Sequence, residues 1–255
     1  MEWLEELLMN SVLIVGSIGL DSLKTPFGER ENVLGGSVSY ASVASSLFCP
    51  VNVVGIIGKD FPQEYINLLQ SRNIDLEGLE VSDQGTFKWK GYYEYDMNQA
   101  HTVETQLNAF ANFNPTIPES YKHSQFVFLA NIHPSLQLNV LNQIENPVFT
   151  ICDTMNLWIS NTKQELTEVM KRVNLVLLNE GEARQFCETP NIIAAAKQVL
   201  ELGPEYVIIK KGEHGALLFD KYGNIFSAPA FPLESIKDPT GAGDTFAGGL
   251  IGYLA

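Results

Sequence analysis

The sequence predicts an α/β fold, doubly wound about a mainly parallel central sheet, with a small β lid. Three observations carry that expectation. Short, predominantly apolar, β-rich runs recur at residues 11–16, 51–58, 125–130, 148–153, 175–178 and 206–209, which is how strands covered on both faces read. Segments of helical period separate several of them. Between Gly85 and Asn114 the texture changes, and Thr86, Phe87, Trp89, Tyr92, Tyr93 and Tyr95 are β formers in a polar setting. Such an insert cannot be another parallel core strand, so it reads as a separate small sheet.

Composition bounds the rest. At 255 residues and 45% hydrophobic content the chain suits one α/β domain with an appendage, or at most two small domains. A formal charge of −14 and a pI near 4.6 argue against nucleic acid or an anionic membrane as the main partner. An anionic substrate must then be held by local N–H groups, a metal and a few lysines. Cys49, Cys152 and Cys187 are odd in number and far apart, which fits buried reduced thiols rather than a disulfide framework or zinc site. The start, residues 1–8, carries acids where a signal peptide carries bases, and no apolar run reaches membrane-spanning length. A cytoplasmic protein is expected.

Taken in order, the strand at 11–16 leads to Ser17-Ile18-Gly19-Leu20-Asp21. A Gly-x-x-Gly here hints at a dinucleotide fold, but the full Gly-x-Gly-x-x-Gly is missing and no helix follows promptly. Ligands of open α/β sheets sit beyond the carboxyl ends of the strands, so Asp21 is placed to hydrogen-bond a substrate hydroxyl; capping a turn is the equal alternative. Gly35-Gly36 precede small residues at helical spacing, so the backbone can come close to a ligand as a helix starts. Tyr40 on that helix can stack on a base, close off the pocket, or pack in the core. After the strand at 51–58, Lys59-Asp60-Phe61-Pro62 opens a helix to about Arg72. Segments 22–34 and 85–114 form the expected lid, which closes on substrate, pairs with a second copy as a homodimer, or is a plain surface hairpin.

Asn131 and His133 directly follow the strand at 125–130, and Asp153-Thr154-Met155-Asn156 follow the next. They can reach an acceptor from there, or simply form turns. Asn179 and Glu182 stand one helical turn apart after the strand at 175–178, where an amide and a carboxylate can order water around a magnesium; a helix start with Asn as its cap predicts the same residues. Lys210 and Lys211 follow a buried strand and lead to Gly212, as phosphate contacts or as solvated charge.

The near-terminal stretch, residues 237–249, organises the chain. Gly241-Ala242-Gly243 run into Phe246, Leu250, Ile251 and Leu254 at helical period, so the small residues form a helix's first turn. Its leading N–H groups lack intrahelical partners and carry the positive end of the macrodipole, which suits a phosphate. Asp244 beside them would repel that ligand unless it accepts a proton from an attacking hydroxyl. Acidic first-turn residues are also common on structural grounds.

Asp238-Pro239-Thr240 before this turn and Gly248-Gly249 after it resemble the C-terminal signature of the PfkB (ribokinase-like) carbohydrate and nucleoside kinases. Gly35-Gly36 resemble that family's N-terminal signature, Asn179 and Glu182 its Asn-x-x-Glu motif, and residues 210–215 its nucleotide-side loop. Tyr40 departs from the asparagine that many sugar kinases of the family place four positions after the second glycine. The resemblance implies a ribokinase-like doubly wound sandwich over residues 10–255 and transfer of the ATP γ-phosphate to an alcohol of a small sugar or nucleoside. In it Asp244 is the base and the amides of Gly241, Ala242 and Gly243 form the anion hole. Asp21, Gly35, Gly36, Tyr40 and Asn131 are the acceptor-side residues, and Lys210 and Gly212 contact ATP. Asn179 and Glu182 organise Mg2+ through water, and Asp238 marks a K+-like cation site. No Walker lysine motif is present, which disfavours a P-loop kinase. Family members continue with further helices lining the adenine pocket. The alternative expectation is therefore a truncated or degenerate relative that binds a sugar or nucleoside without turnover.

Overall fold

The computed structural model describes residues 10–98 and 100–255. Residues 1–9, which include the acidic start that argued against a leader, and Gln99 lie outside the described residues. The chain opens on β1 (Val12–Val15), leaves the core as β2 (Gly19–Thr25) and β3 (Gly28–Gly35), and returns through α1 (Ser37–Ser45) to β4 (Val51–Gly58). Helix α2 (Gln63–Gln70) and β5 (Ile74–Ser82) follow, then a second excursion through β6 (Phe87–Tyr93) and β7 (Ala100–Gln106). A regular βα run comes next: β8 (Phe126–Leu129), α3 (Pro134–Gln143), β9 (Phe149–Cys152), α4 (Asn156–Asn161), α5 (Lys163–Met170) and β10 (Leu175–Asn179). The chain closes with α6 (Glu180–Cys187), α7 (Ile192–Leu200), β11 (Tyr206–Lys210), β12 (Ala216–Asp220), β13 (Ile225–Ala228) and α8 (Ala242–Leu254).

The central sheet has nine strands in the order β13-β12-β11-β10-β9-β8-β1-β4-β5. All neighbours pair parallel except β11 with β12 and β12 with β13. Successive side chains of a strand point to opposite faces, so the apolar runs feed two cores. Val12 and Ile14 of β1 pack with Val38 and Ala41 of α1, Leu69 of α2 and Ile251 of α8. Leu13 and Val15 pack on the other side with Val140 of α3, Leu166 and Met170 of α5, Ala183 of α6 and Val199 of α7. Each fully buried Val, Leu or Ile contributes about 1.5–3 kcal/mol, which is why these strands need no polar face. Cys49 and Cys152 are buried free thiols and Cys187 is a half-buried one. Among the described residues no helix is long and apolar enough to cross a membrane.

A second sheet, ordered β3-β2-β6-β7, stands off the carboxyl end of β1. Strands β2 and β6 pair parallel, with β3 and β7 antiparallel on the outside. The root of β6 is tied to the core because Asp60 Oδ1 accepts from both the amide and the hydroxyl of Thr86, each at 2.7 Å.

The face of α8 differs from the sequence expectation. Phe246 and Leu254 are exposed and Leu250 is only partly buried, while Ala247, Gly248, Ile251 and Gly252 are buried. The reason is the close approach of α1. A side-chain carbon on Gly248 would strike the Ala41 carbonyl, and one on Gly252 would lie 2.7 Å from Ser45 Oγ. Only small residues fit that seam, so Phe246 and Leu254 turn outward, while Ile251 packs into the core beside it.

Candidate active site

Helix α8 begins at Gly241, whose φ of 73° lies in the left-handed region that costs any residue with a Cβ. The ring of Tyr40 also lies directly against its Cα, where a side chain would collide. The resulting turn differs in one respect from the expected anion hole. The Ala242 N–H is spent on Pro239 O at 3.1 Å, so the turn's own hydrogen bond removes it. Among the described residues the amides of Gly241 and Gly243 have no such partner.

Lys210 ends β11 and reaches this turn. Its Nζ is 2.7 Å from Asp153 Oδ2, and a side-chain carbon on Gly243 would lie 3.2 Å from the same ammonium. Burial works against the charged Lys210, but Asp153 and then Glu182 outweigh it and hold its pKa above the usual lysine value. Asp244 is half-buried in the first turn of α8. Desolvation, reinforced by the nearby Asp153 charge and opposed by Lys210, pushes its carboxyl up to about 7. A carboxylate so poised is a competent proton acceptor near neutral pH.

A second group of sequence candidates meets the same turn through Tyr40. Asp21, on β2, is 4% exposed, and its carboxyl lies directly over Gly35. Burial pushes it up to about 6, against the pull of the Tyr40 hydroxyl and the Gly36 amide. Tyr40 donates to Asp21 Oδ2 at 3.4 Å, so one ring links the paired glycines, Asp21 and Gly241. Tyr93, at the end of β6, accepts from Thr240 Oγ1 at 3.2 Å and thereby joins the second sheet to the turn. A hollow of about 380 Å3 at that sheet shares Tyr93 and is lined also by Leu23, Lys24, Glu29, Lys90, Tyr92 and Val103.

The remaining sequence candidates are placed as follows. Asn179 and Glu182 form a reciprocal capping box at the start of α6: Glu182 N donates to Asn179 Oδ1 at 2.8 Å, and Asn179 N to Glu182 Oε2 at 2.7 Å. Glu182 is nevertheless buried near Lys210 and Asp153, and burial raises its pKa. Asn131 lies at the end of β8, with its Oδ1 accepting from Trp158 Nε1 at 2.9 Å. His133 caps α3 through Ser135 N at 3.2 Å. Gly212 has φ 56°, and a side-chain carbon on it would lie 4.0 Å from Asn98 Oδ1 in the β6–β7 turn. Asp238 is exposed, and its Oδ1 accepts from Thr240 N at 2.9 Å. Among the described residues no group of three or more His, Cys, Asp or Glu gathers to hold a metal ion. Tyr93 and Thr240 were not singled out from sequence as site residues. Asp153 was noted only as one of four residues that follow a buried strand and either reach an acceptor or form a turn, and its partner Lys210 was not foreseen.

The comparisons agree on the family. A model described as pfkB family carbohydrate kinase matches residues 7–255. The cytidine kinase of Thermococcus kodakarensis is 31% identical over 251 residues, covering 96% of this chain and 89% of that protein. A nucleoside kinase of Burkholderia thailandensis solved with inosine has a TM-score of 0.78 at 20% identity, covering 95% of this chain and 84% of that one. A ribokinase of Cryptococcus neoformans solved with ADP has a TM-score of 0.77 at 21% identity, covering 96% and 87%. With the matched span taking in both glycine signatures and the Asp244 turn, the chain belongs to the pfkB family of carbohydrate kinases and is a phosphotransferase that acts on an alcohol group.

Proposed function

We propose that the chain transfers the γ-phosphoryl group of ATP to a hydroxyl of a nucleoside or small sugar, with Asp244 as the general base. One observation carries the reading: a carboxyl poised near neutrality stands beside unpaired amides and a lysine ammonium, opposite a buried carboxylate suited to gripping an alcohol. The acceptor O–H gives its proton to Asp244 as its oxygen attacks the γ-phosphorus. The bond from that phosphorus to the β,γ-bridging oxygen breaks, and ADP leaves with the electron pair. The Gly241 and Gly243 amides and Lys210 take up charge on the transferring oxygens. Asp21 orients the alcohol, and Tyr40 and Tyr93 wall the pocket on either side of the turn.

The donor set fits magnesium carried on ATP. Asp153, Glu182 and Asp244 surround a single lysine, so added positive charge is accommodated, and Glu182 keeps one oxygen free of the capping box for a bound water. Magnesium, when bound, neutralises the phosphates so that the alcohol can approach. Asp238 keeps one carboxylate oxygen for a monovalent cation, and comparing K+ with Na+ in the assay tests that part. The exposed β7 edge is the surface for a homodimer, tested by mass in solution.

A nucleoside is favoured over a free sugar because two tyrosines flank the acceptor site and because a cytidine kinase is among the relatives. The test is ADP release measured against a panel of nucleosides, hexoses and inositols. Release dependent on one acceptor class is expected, with nucleosides first. Tight acceptor binding without ADP release would instead identify a binding protein.

A further inference from the structure

The carboxylate paired with Lys210 takes no part in the proton transfer above, and both of its oxygens are held. Asp153 is 3% exposed at the carboxyl end of β9. Its N–H donates to Leu129 O at 3.0 Å, and its carbonyl accepts from the buried Gln137 Nε2 at 3.0 Å. Gln137 also donates to the carbonyls of Leu129 and Ala130, so the ends of β8 and β9 are laced to one side chain. Within the Asp153 carboxyl, Oδ1 accepts from Thr154 N at 2.9 Å and Oδ2 from Lys210 Nζ at 2.7 Å.

Lys210 comes from β11, two strands away across β10. Its four-carbon stem is flexible and rich in rotamers, and Glu182 and Asp244 offer competing carboxylates close by. Without a fixed partner the ammonium would be drawn onto Asp244 and hold that base ionised and occupied. With Asp153 it is parked beside Gly243 instead.

We propose that Asp153 is a positioning residue for phosphoryl transfer: it holds the Lys210 ammonium beside the Gly243 turn, presenting that charge to the phosphates and keeping it off Asp244. The inference rests on the phosphotransfer reading given above.

The test is a double-mutant cycle on the full chain with Asp153→Asn, Lys210→Met and the double variant, the last of which removes both buried charges and guards against a folding failure of either single. Two quantities are read: ATP affinity by calorimetry without acceptor, and the pH profile of kcat/KM with acceptor. Asp153→Asn is expected to weaken ATP binding about tenfold, and Lys210→Met at least as much, with the double no weaker than Lys210→Met alone. Asp153→Asn is also expected to move the acid limb of kcat/KM to lower pH, because a like charge beside Asp244 is lost and the freed ammonium turns to Asp244. In the Lys210→Met background only the lost charge acts, so the same exchange moves the limb less. Additive losses of ATP affinity, or equal limb shifts in the two backgrounds, would overturn the proposal. A wild-type chain that binds ATP but shows no acceptor-dependent ADP release would overturn the kinase reading, while the affinity cycle still decides the placement of Lys210.

Discussion

Asp244 is subject to two opposed requirements: a base must be ionised to work, and partial burial beside Asp153 penalises the ion. Its folded-state pKa of about 7 stands above the ordinary 3.8. Between those values the folded protein holds a proton that the unfolded chain has released, so stability falls as pH rises through that window. Asp244→Asn removes the penalty. Its Tm at pH 8 should exceed that of the wild type by a few degrees in calorimetry, while turnover drops by about 10²–10⁴-fold. The wild-type kcat/KM should have an acid limb near pH 7, which burial, Asp153 and Asp21 raise and Lys210 lowers. A limb near pH 4, or an Asn variant with near-wild-type rate, excludes Asp244 as the base.

At the scale of elements, the α1–α8 seam decides how the Gly241–Gly243 turn is seated, because the helix that presents Gly243 and Asp244 is fixed by contact along Ala41 and Ser45. Adding a methyl group at Gly248 drives carbon into the Ala41 backbone, which can yield only by moving a helix. Gly248→Ala should therefore cost about 1–3 kcal/mol or more, read as a lowered urea midpoint. Gly249→Ala is the control. A side-chain carbon there meets nothing within 4 Å, and the exchange should gain up to about 1 kcal/mol of helix propensity. The sequence pattern misled here for a physical reason. Periodicity marks which residues are apolar, whereas the face that packs is chosen by how near a neighbouring helix comes, and at short range glycine outranks phenylalanine. The capping box of Asn179 and Glu182 shows the reverse problem, since one pair of residues satisfies a helix start whatever chemistry it also performs.

At the scale of the molecule, the strands buried on both faces were legible because a short, unbroken apolar run of β formers has almost nowhere to go except the middle of a sheet covered by helices. Strands β5, β12 and β13 were not read. They lie at or next to the two sheet edges, and β5 alternates acids Asp75, Glu77 and Glu80 with Ile74, Leu76 and Leu79. The order of the glycine signatures along the chain was also legible. What the sequence hid were pairings across distance: Lys210 with Asp153, 57 positions away, and Thr240 with Tyr93, 147 away. The second sheet buries little of its surface, β7 being exposed almost throughout, so its amides should exchange with deuterium faster than those of β1, β8 and β10. Acceptor and nucleotide together should slow exchange in β6, where Tyr93 meets the turn; unchanged exchange there would separate that sheet from ligand binding.

Asp21 belongs to β2, and therefore to the outlying sheet, whereas Asp244 is built into a helix seamed to the core. In the proposed reaction Asp21 steadies the alcohol and Asp244 activates it, so any swing of that sheet would part the two acids while the Gly241 and Gly243 amides stayed with the core. On that reading idle consumption of ATP would be discouraged without a dedicated safeguard, since water arriving alone would offer nothing to draw the two acids together.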